Sequence, residues 1–290
     1  MIEFFNKILD INLRIVLSKI GLVIKKSQFI EIEQSVADIF GISQSQQLLK
    51  KKRFENGTIS LEGNIIDYND VESLHGMVNE VFVRKNYDFL SAIDNPTIID
   101  CGANIGISVL YFKKNFPNAK IIAFEPDRSA FECLSANIKA SGHSGVELIN
   151  SAVWIKNEKL KFKVDNSWGG HIELNENLMS SSNNYLSVNA VDLNNYLDQQ
   201  IDFLKIDIEG AENEVLIHCS DLIIKNVKIL FFEWHSFSNN QQKLGEILKI
   251  YENNGFRYHI KEASPKKSPF MEKRLSLPMD TQLDCFLYKN

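Results

Sequence analysis

The chain has 290 residues, 44% of them hydrophobic, which suits one full-sized catalytic domain with an appendage rather than two large domains. Its formal charge of -5 and pI near 5.8 come without a dense basic run, which disfavours a nucleic-acid partner. The four cysteines lie far apart with no CxxC pair, so neither a zinc site nor a disulfide framework is suggested, and a reducing cytoplasm is the expected setting.

In chain order, Ile2 to Ile24 is rich in Ile, Leu and Phe but is interrupted by Glu3, Lys7, Asp10, Arg14 and Lys19. No window there resembles a secretory leader or an unbroken membrane span. Phe4, Ile8, Ile11, Ile15 and Leu22 fall near one stripe, the pattern of an amphipathic helix packed on its own domain or on a second copy of the chain in a homodimer, with attachment to a membrane surface the less favoured alternative because positive charges are few. Turn signals at Glu62-Gly63-Asn64 and Asp94-Asn95-Pro96 bracket Ile65 to Ala92, a short strand followed by a helix. Residues 1–90 therefore read as a mainly helical extension or lid, and residues 91–290 as the catalytic domain.

From Thr97 onward apolar strands alternate with amphipathic helices, which predicts a doubly wound, mostly parallel α/β sheet. The predicted strands are Thr97 to Asp100, Lys120 to Phe124, Val146 to Ala152, Phe203 to Ile208 and Lys228 to Glu233. Helices are expected from Ile107 to before Pro117, over Asp127 to Ala140, after Ile208 to about Cys219, and over Gln241 to Asn253. Two closing strands, Phe256 to Lys261 and Leu283 to Tyr288, have no helix between them and so predict an antiparallel terminal hairpin, giving seven strands. Lys159 to Val164 and Tyr185 to Val191 interrupt the alternation and are expected as extra strands or a hairpin at the sheet edge.

Ile98-Ile99-Asp100-Cys101-Gly102-Ala103-Asn104-Ile105-Gly106 passes from a buried strand through a glycine turn into a helix. Ligands of open α/β sheets bind at this carboxyl edge, where the strand order reverses. Gly102 and Gly106 allow a sharp turn and close backbone approach. Asp100 would accept hydrogen bonds from the amino-acid ammonium of a cofactor, directly or through water. Glu125, in Phe124-Glu125-Pro126-Asp127, lies where an acid can bind both ribose hydroxyls of an adenosine, and Ser151 and Ala152 leave room for the flat base. The turn reads DxGxNxG rather than GxGxxG, which argues against a nicotinamide or flavin dinucleotide.

The run Ile99 to Gly106, the Phe124-Glu125-Pro126 step and the block Lys205-Ile206-Asp207-Ile208-Glu209-Gly210-Ala211-Glu212 resemble the hallmark blocks of FkbM-type methyltransferases. The resemblance covers roughly Val81 to Trp234 and implies a Rossmann-like class I methyltransferase fold, S-adenosyl-L-methionine as cofactor, and O-methylation of a sugar or natural-product hydroxyl. It also implies that Glu80 and Tyr87, just ahead of the glycine turn, are lid contacts to the methionine moiety. With it, the cofactor set is Asp100, Gly102, Ala103, Asn104, Gly106, Glu125, Pro126, Ser151, Ala152, Asp207, Tyr87 and Glu80.

Methyl transfer from a sulfonium to an alcohol needs in-line alignment, exclusion of water and a proton acceptor. The fourth strand ends in Asp207 and Glu209, the fifth in Glu233-Trp234-His235. His235 is expected as the general base, with Asp207 and Glu233 orienting it or the acceptor. Glu212 is expected only to begin a helix, where an acid complements the dipole. A divalent metal on the carboxylates is the less favoured alternative, because no Asp-Asn or Asp-Asp pair follows the fifth strand. Trp168-Gly169-Gly170-His171 could offer an aromatic platform to a sugar, and Lys266 to Pro278 could be a loop covering the acceptor. Rival readings are an NAD-dependent oxidoreductase, a methylase of nucleic-acid bases, which lacks its usual Pro-Pro-aromatic block here, and a non-catalytic scaffold.

Overall fold

The computed structural model describes residues 34–163, 171–172, 185–238, 240–265 and 279–289. The amphipathic stretch 2–24, the segment 168–170 and the loop 266–278 lie outside the described residues.

Two short helices, α1 (Gln34–Phe40) and α2 (Ile42–Leu48), precede a hairpin of β1 (Gly57–Leu61) and β2 (Asn64–Tyr68). Its turn takes Glu62 and Gly63 into left-handed conformations, at φ 51° and 82°. Helix α3 (Val71–Val78) starts at Asp70, whose carboxylate accepts from the Ser73 amide, and runs directly into a π-helical turn over Asn79–Val83. The extension thus contains a hairpin that the helical periodicity did not predict.

The catalytic portion follows as β3 (Thr97–Cys101), α4 (Ile107–Asn115), β4 (Lys120–Phe124), α5 (Arg128–Ser141) and β5 (Val146–Ile149). Next come β6 (Ala152–Trp154), β7 (Glu158–Lys163), β8 (His171–Ile172) and β9 (Tyr185–Asp192). The chain ends with β10 (Ile201–Ile206), α6 (Glu212–His218), α7 (Ser220–Asn226), β11 (Val227–Phe237), α8 (Leu244–Asn253), β12 (Phe256–Glu262) and β13 (Met279–Lys289). Helix α5 has explicit start and stop signals. Asp127 caps its first turn by accepting from the Ala130 amide at 2.8 Å, and Gly142 ends it in the left-handed region at φ 69°.

The main sheet has seven strands in the order β12-β13-β11-β10-β3-β4-β5. All neighbours from β11 to β5 are parallel, and β13 inserts antiparallel between β11 and β12. This is the doubly wound, Rossmann-like arrangement with a terminal hairpin that the alternation of elements predicts. The central strands are covered on both faces, so their apolar runs are continuous rather than alternating: every residue of β10 is buried. The strand order reverses between β3 and β10, opening a crevice at their carboxyl ends.

The strand predicted over Val146 to Ala152 is broken. Ser151 N donates to Ile149 O at 3.0 Å, a tight turn that ends β5, while Asn150 Nδ2 donates to Glu125 O at 2.8 Å. Beyond the break, β6 joins a separate four-stranded sheet of order β6-β9-β7-β8. The extra strands therefore form their own layer instead of extending the main sheet.

The extension and the sheet share one apolar cluster, in which Val36, Ile66, Leu74 and Tyr87 pack with Ile98, Ile121, Phe203 and Phe231. Asn137 of α5 fastens them together with polar bonds. It is 1% exposed, accepts from Asp67 N at 2.7 Å, and donates to Asp67 O at 2.9 Å and Ile105 O at 2.8 Å. Replacing it strands buried backbone groups, so Asn137→Leu is expected to cost about 1–3 kcal/mol. The measurement is the urea midpoint; an unchanged midpoint would show that the hairpin contributes nothing to the fold of the sheet.

Candidate active site

At the switch point Lys205 of β10 sits opposite Asp100 of β3 in register. The Lys205 ammonium is buried, donates to Gly102 O at 2.9 Å, and lies 3.3 Å from Asp100 Oδ1 and 3.4 Å from Asp207 Oδ2. Burial alone would depress its pKa, but Asp100, Asp207 and Glu80 outweigh it and raise the pKa above the ordinary lysine value. Asp100 is completely buried and also accepts from Ser108 Oγ. It lies beneath the turn, with Lys205 and Ser108 as its neighbours and Oδ1 without a hydrogen-bond partner among the described residues.

Gly102 is fixed by packing: at φ 87°, a Cβ would fall 1.8 Å from the Asp207 carbonyl oxygen. Gly102 N and Ala103 N both donate to Phe124 O, closing the turn onto β4. Asn104 follows in the left-handed region at φ 48°. Gly106 begins α4 at φ 91°, a left-handed conformation that favours glycine, and a Cβ there would meet Leu134 Cδ1 at 2.7 Å.

Glu125 braces this turn. Its Oε2 accepts from Asn104 N and its Oε1 from Asp127 N, both at 2.8 Å, with Pro126 between. Burial pushes its pKa up to about 8, against the opposing pull of the two amides. Each carboxyl oxygen still has a lone pair left for a ligand hydroxyl. Ser151 and Ala152 are buried at the break after β5. Asn150 connects that break to Glu125, so the residues predicted for ribose and base lie along one edge.

The segment before β3 reaches the same crevice. Tyr87 is 1% exposed, with its ring 5.0 Å from that of Phe231, edge to face, and its hydroxyl donates to Glu80 in the π-helical turn. Burial pushes Glu80 up to about 7, with Asp207 adding to the rise and Lys205 and Tyr87 opposing it. Arg84 and Asn86 both bind Asp284 Oδ2 on β13, which ties this segment to the closing hairpin.

Around His235 the arrangement departs from the sequence expectation. Its imidazole is 1% exposed, with Nδ1 3.1 Å from Glu212 Oε1. Glu212 is not merely a helix-start acid: it is equally buried and also accepts from Ile208 N and Gly210 N. His235 Nε2 faces Glu209 Oε2 at 3.5 Å and Glu233 Oε1 at 3.8 Å. Burial would lower the His235 pKa, but Glu212, Glu209 and Glu233 outweigh it and hold it well above 6.5. An imidazolium held this way gives up its proton less readily than a free imidazole at neutral pH. Glu209 is pushed up to about 7 by burial and by its acidic neighbours, with His235 and Lys205 opposing. Its side chain is 34% exposed and its φ is 55°, an uncommon backbone for a non-glycine residue. Glu233 is raised by burial, Asp207 and Glu80, and accepts from Gln282.

One ligand atom each from Asp207, Glu233 and His235 lies within 4.8 Å of the others, and Glu80, Glu233 and Asp284 form a similar group. These donors could hold a divalent cation, although His235 already spends one nitrogen on Glu212.

The Methyltransferase FkbM domain model matches residues 100–258, the stretch from Asp100 into the start of β12. The chain belongs to the FkbM methyltransferase family. It is 27% identical over 190 residues to Methyltransferase sdnD of Sordaria araneosa, covering 54% of this chain and 73% of that protein. It is also 27% identical over 168 residues to Methyltransferase 1 of Beauveria bassiana, covering 51% and 66%. A solved FkbM methyltransferase from Methylobacillus flagellatus KT superposes with a TM-score of 0.46 at 14% identity, over 75% of this chain and 54% of that one. In this FkbM-family chain the matched stretch contains Asp100, Glu125, Lys205, Glu212 and His235, whereas Glu80, Tyr87, Gln282 and Asp284 lie outside it.

Sequence reasoning assigned no role to Lys205, Gln282 or Asp284. A lone lysine inside the apolar strand Phe203-Leu204-Lys205-Ile206 was a readable signal, because a charge buried on both strand faces must be paired. The elevated carboxyls have a consequence for stability. Glu80, Glu125 and Glu209 keep protons to about 7, 8 and 7, against 4.5 for an ordinary glutamate. Between those limits the folded chain binds more protons than the unfolded chain, so stability falls as pH rises. Ligand-free protein is expected to melt at a lower temperature at about pH 8.5 than at about pH 5.5, and Glu125→Gln to flatten the slope. Calorimetric melts across that range would decide; a melting temperature that rose with pH would contradict the assignment.

Proposed function

We propose that this chain is an S-adenosylmethionine-dependent O-methyltransferase acting on a hydroxyl of a small molecule, a carbohydrate or natural product. The observation that carries the reading is a single crevice with two ends: Glu125 braced on the glycine turn, and carboxylates ringing His235 at the neighbouring strand ends.

Glu125 would hold the ribose hydroxyls, with Asn104 keeping its carboxyl in place, and Ser151 and Ala152 would border the base. Asp207 and Glu80 would face the positively charged methionine end, where burial from bulk water strengthens the attraction. The bound cofactor supplies an electrophilic methyl group. Glu209, the most exposed carboxylate beside His235, would take the acceptor's proton, while Glu212 keeps the imidazolium oriented and charged against it. Glu233 and Gln282 would orient the acceptor. The absence of a Pro-Pro-aromatic block after β10 favours a hydroxyl over a nucleic-acid base nitrogen, and a metal on Asp207, Glu233 and His235 remains the second reading.

No helix among the described residues is long and apolar enough to cross a membrane. The four cysteines are free and three of them are buried, which supports placement in a reducing compartment such as the cytoplasm.

Calorimetric titration with S-adenosylhomocysteine, with NAD in parallel, tests the cofactor reading. Saturable binding of S-adenosylhomocysteine alone is expected; binding of NAD alone would overturn it. Glu125→Ala should weaken that binding by roughly 1–3 kcal/mol through loss of the carboxyl's hydrogen bonds to the ribose hydroxyls. Glu209→Gln and His235→Ala should leave it within about 0.5 kcal/mol of the parent, since neither side chain lies at the ribose end. In a screen of sugar and natural-product hydroxyls with radiolabelled cofactor, Glu209→Gln should then slow transfer roughly 100-fold or more. Full turnover by that variant would remove Glu209 as the proton acceptor.

A further inference from the structure

We propose that Lys205 is the positioning residue of the amino-acid half of the cofactor site, acting through the Gly102 carbonyl and the Asp207 carboxylate. The inference rests on the cofactor reading above and extends it to a residue with no direct contact of its own.

The geometry singles out this half of the crevice. Lys205 and Asp100 are register partners on the two strands that flank the switch point, so the ammonium bridges the only place where the sheet order reverses among the described strands. From there it reaches the two elements that line the crevice above it. Its 2.9 Å bond to Gly102 O sets the orientation of the turn's first peptide, and its 3.4 Å contact sets the Asp207 side chain, which is 21% exposed where Lys205 is 3% and Asp100 is 0%. A buried cation under a partly exposed carboxylate and a backbone carbonyl is a support, not a surface. The ammonium also lies 5.8 Å from the centroid of the Tyr87 ring, on the segment that carries Glu80.

The bonds on the other half run through a different residue. Glu125 fixes Asn104 N and Asp127 N without touching Lys205, and Asn150 fixes the Glu125 carbonyl. The adenosine half and the amino-acid half are therefore organised by separate side chains. Loss of Lys205 should release Gly102 O and let Asp207 swing towards solvent, while the Glu125 brace stays intact.

That separation provides the test. Binding of S-adenosylhomocysteine, which carries the amino-acid portion, is compared by calorimetry with binding of 5′-methylthioadenosine, which lacks it, for the full chain and for Lys205→Met. The variant is expected to lose roughly tenfold or more in affinity for S-adenosylhomocysteine while holding 5′-methylthioadenosine within about twofold. Retention of both affinities, or their loss in equal proportion, would overturn the proposal, since a general fold defect weakens both ligands alike. Should Lys205→Met fail to fold, Lys205→Gln is measured instead, because it removes the charge that holds Asp207 while keeping a polar side chain in the interior. The same selective loss is then expected, and equal or absent loss has the same negative meaning. If the parent protein binds neither ligand, the cofactor reading itself falls, and with it this inference.

Discussion

A single ammonium buried at the switch point sets the terms for the site around it. Desolvating a lysine costs several kcal/mol, and removing one partner from such a buried pair typically costs about 3–5 kcal/mol. Lys205 must therefore keep its carboxylates close, and those carboxylates belong to two different strands: Asp100 on β3 and Asp207 just past β10. The glycine turn is caught between them. Gly102 has no room for a side chain against the Asp207 carbonyl, and its own carbonyl is taken by the ammonium. Strand pairing, turn shape and charge placement are thus one coupled constraint.

The carboxylates further along the edge follow a different logic. Glu233 and Asp284 are direct cross-strand partners on β11 and β13, an arrangement that is unfavourable for like charges unless other groups intervene. Arg84 and Asn86 take one oxygen of Asp284, while Gln282 and His235 face Glu233. Burial, with acidic neighbours such as Asp207 adding to it, raises the pKa values of Glu80, Glu209 and Glu233. A fold that keeps so many acids out of water gives up stability at neutral pH, and a cationic ligand would restore it by supplying the missing charge. The sulfonium and ammonium of S-adenosylmethionine have the matching sign.

The parts of this arrangement that were legible in the sequence are those governed by local rules. Apolar runs such as Ile98-Ile99 and Ile121-Ile122, the Asp127 cap and the Gly142 stop mark strands and helices without tertiary information. The Glu125 position is readable because the end of a strand next to the glycine turn is a fixed distance from it. What escaped depends on pairs far apart in the chain. Glu212 looks like an ordinary helix-start acid until β11 brings His235 to its carboxyl, and Asp284 is an unremarked residue of a closing strand until Arg84 reaches it from the other end of the chain. The break at Asn150-Ser151 was missed because both flanking runs, Val146 to Ile149 and Ala152 to Trp154, have equally good strand character. The Ser151 N to Ile149 O turn and the side-chain bond from Asn150 to the Glu125 carbonyl mark the point where they part into different sheets.

The boundary of the family match has a physical counterpart. From Asp100 onward the matched stretch carries the turn, the Glu125 brace, Lys205 and the Glu212–His235 pair, all held by bonds within the main sheet and its helices. Glu80 enters from outside it, on a π-helical turn whose extra residue per turn shifts side chains off the regular helical face. Its place in the crevice depends on Tyr87 being buried against Phe203 and Phe231 and on Arg84 and Asn86 being tied to β13. The braced glycine turn is therefore built within the matched stretch, whereas Glu80 and Asp284 are supplied by the extension and the closing hairpin. Changes in those two outer elements would act on Glu80 and Asp284 while leaving in place the strand pairing that holds the turn.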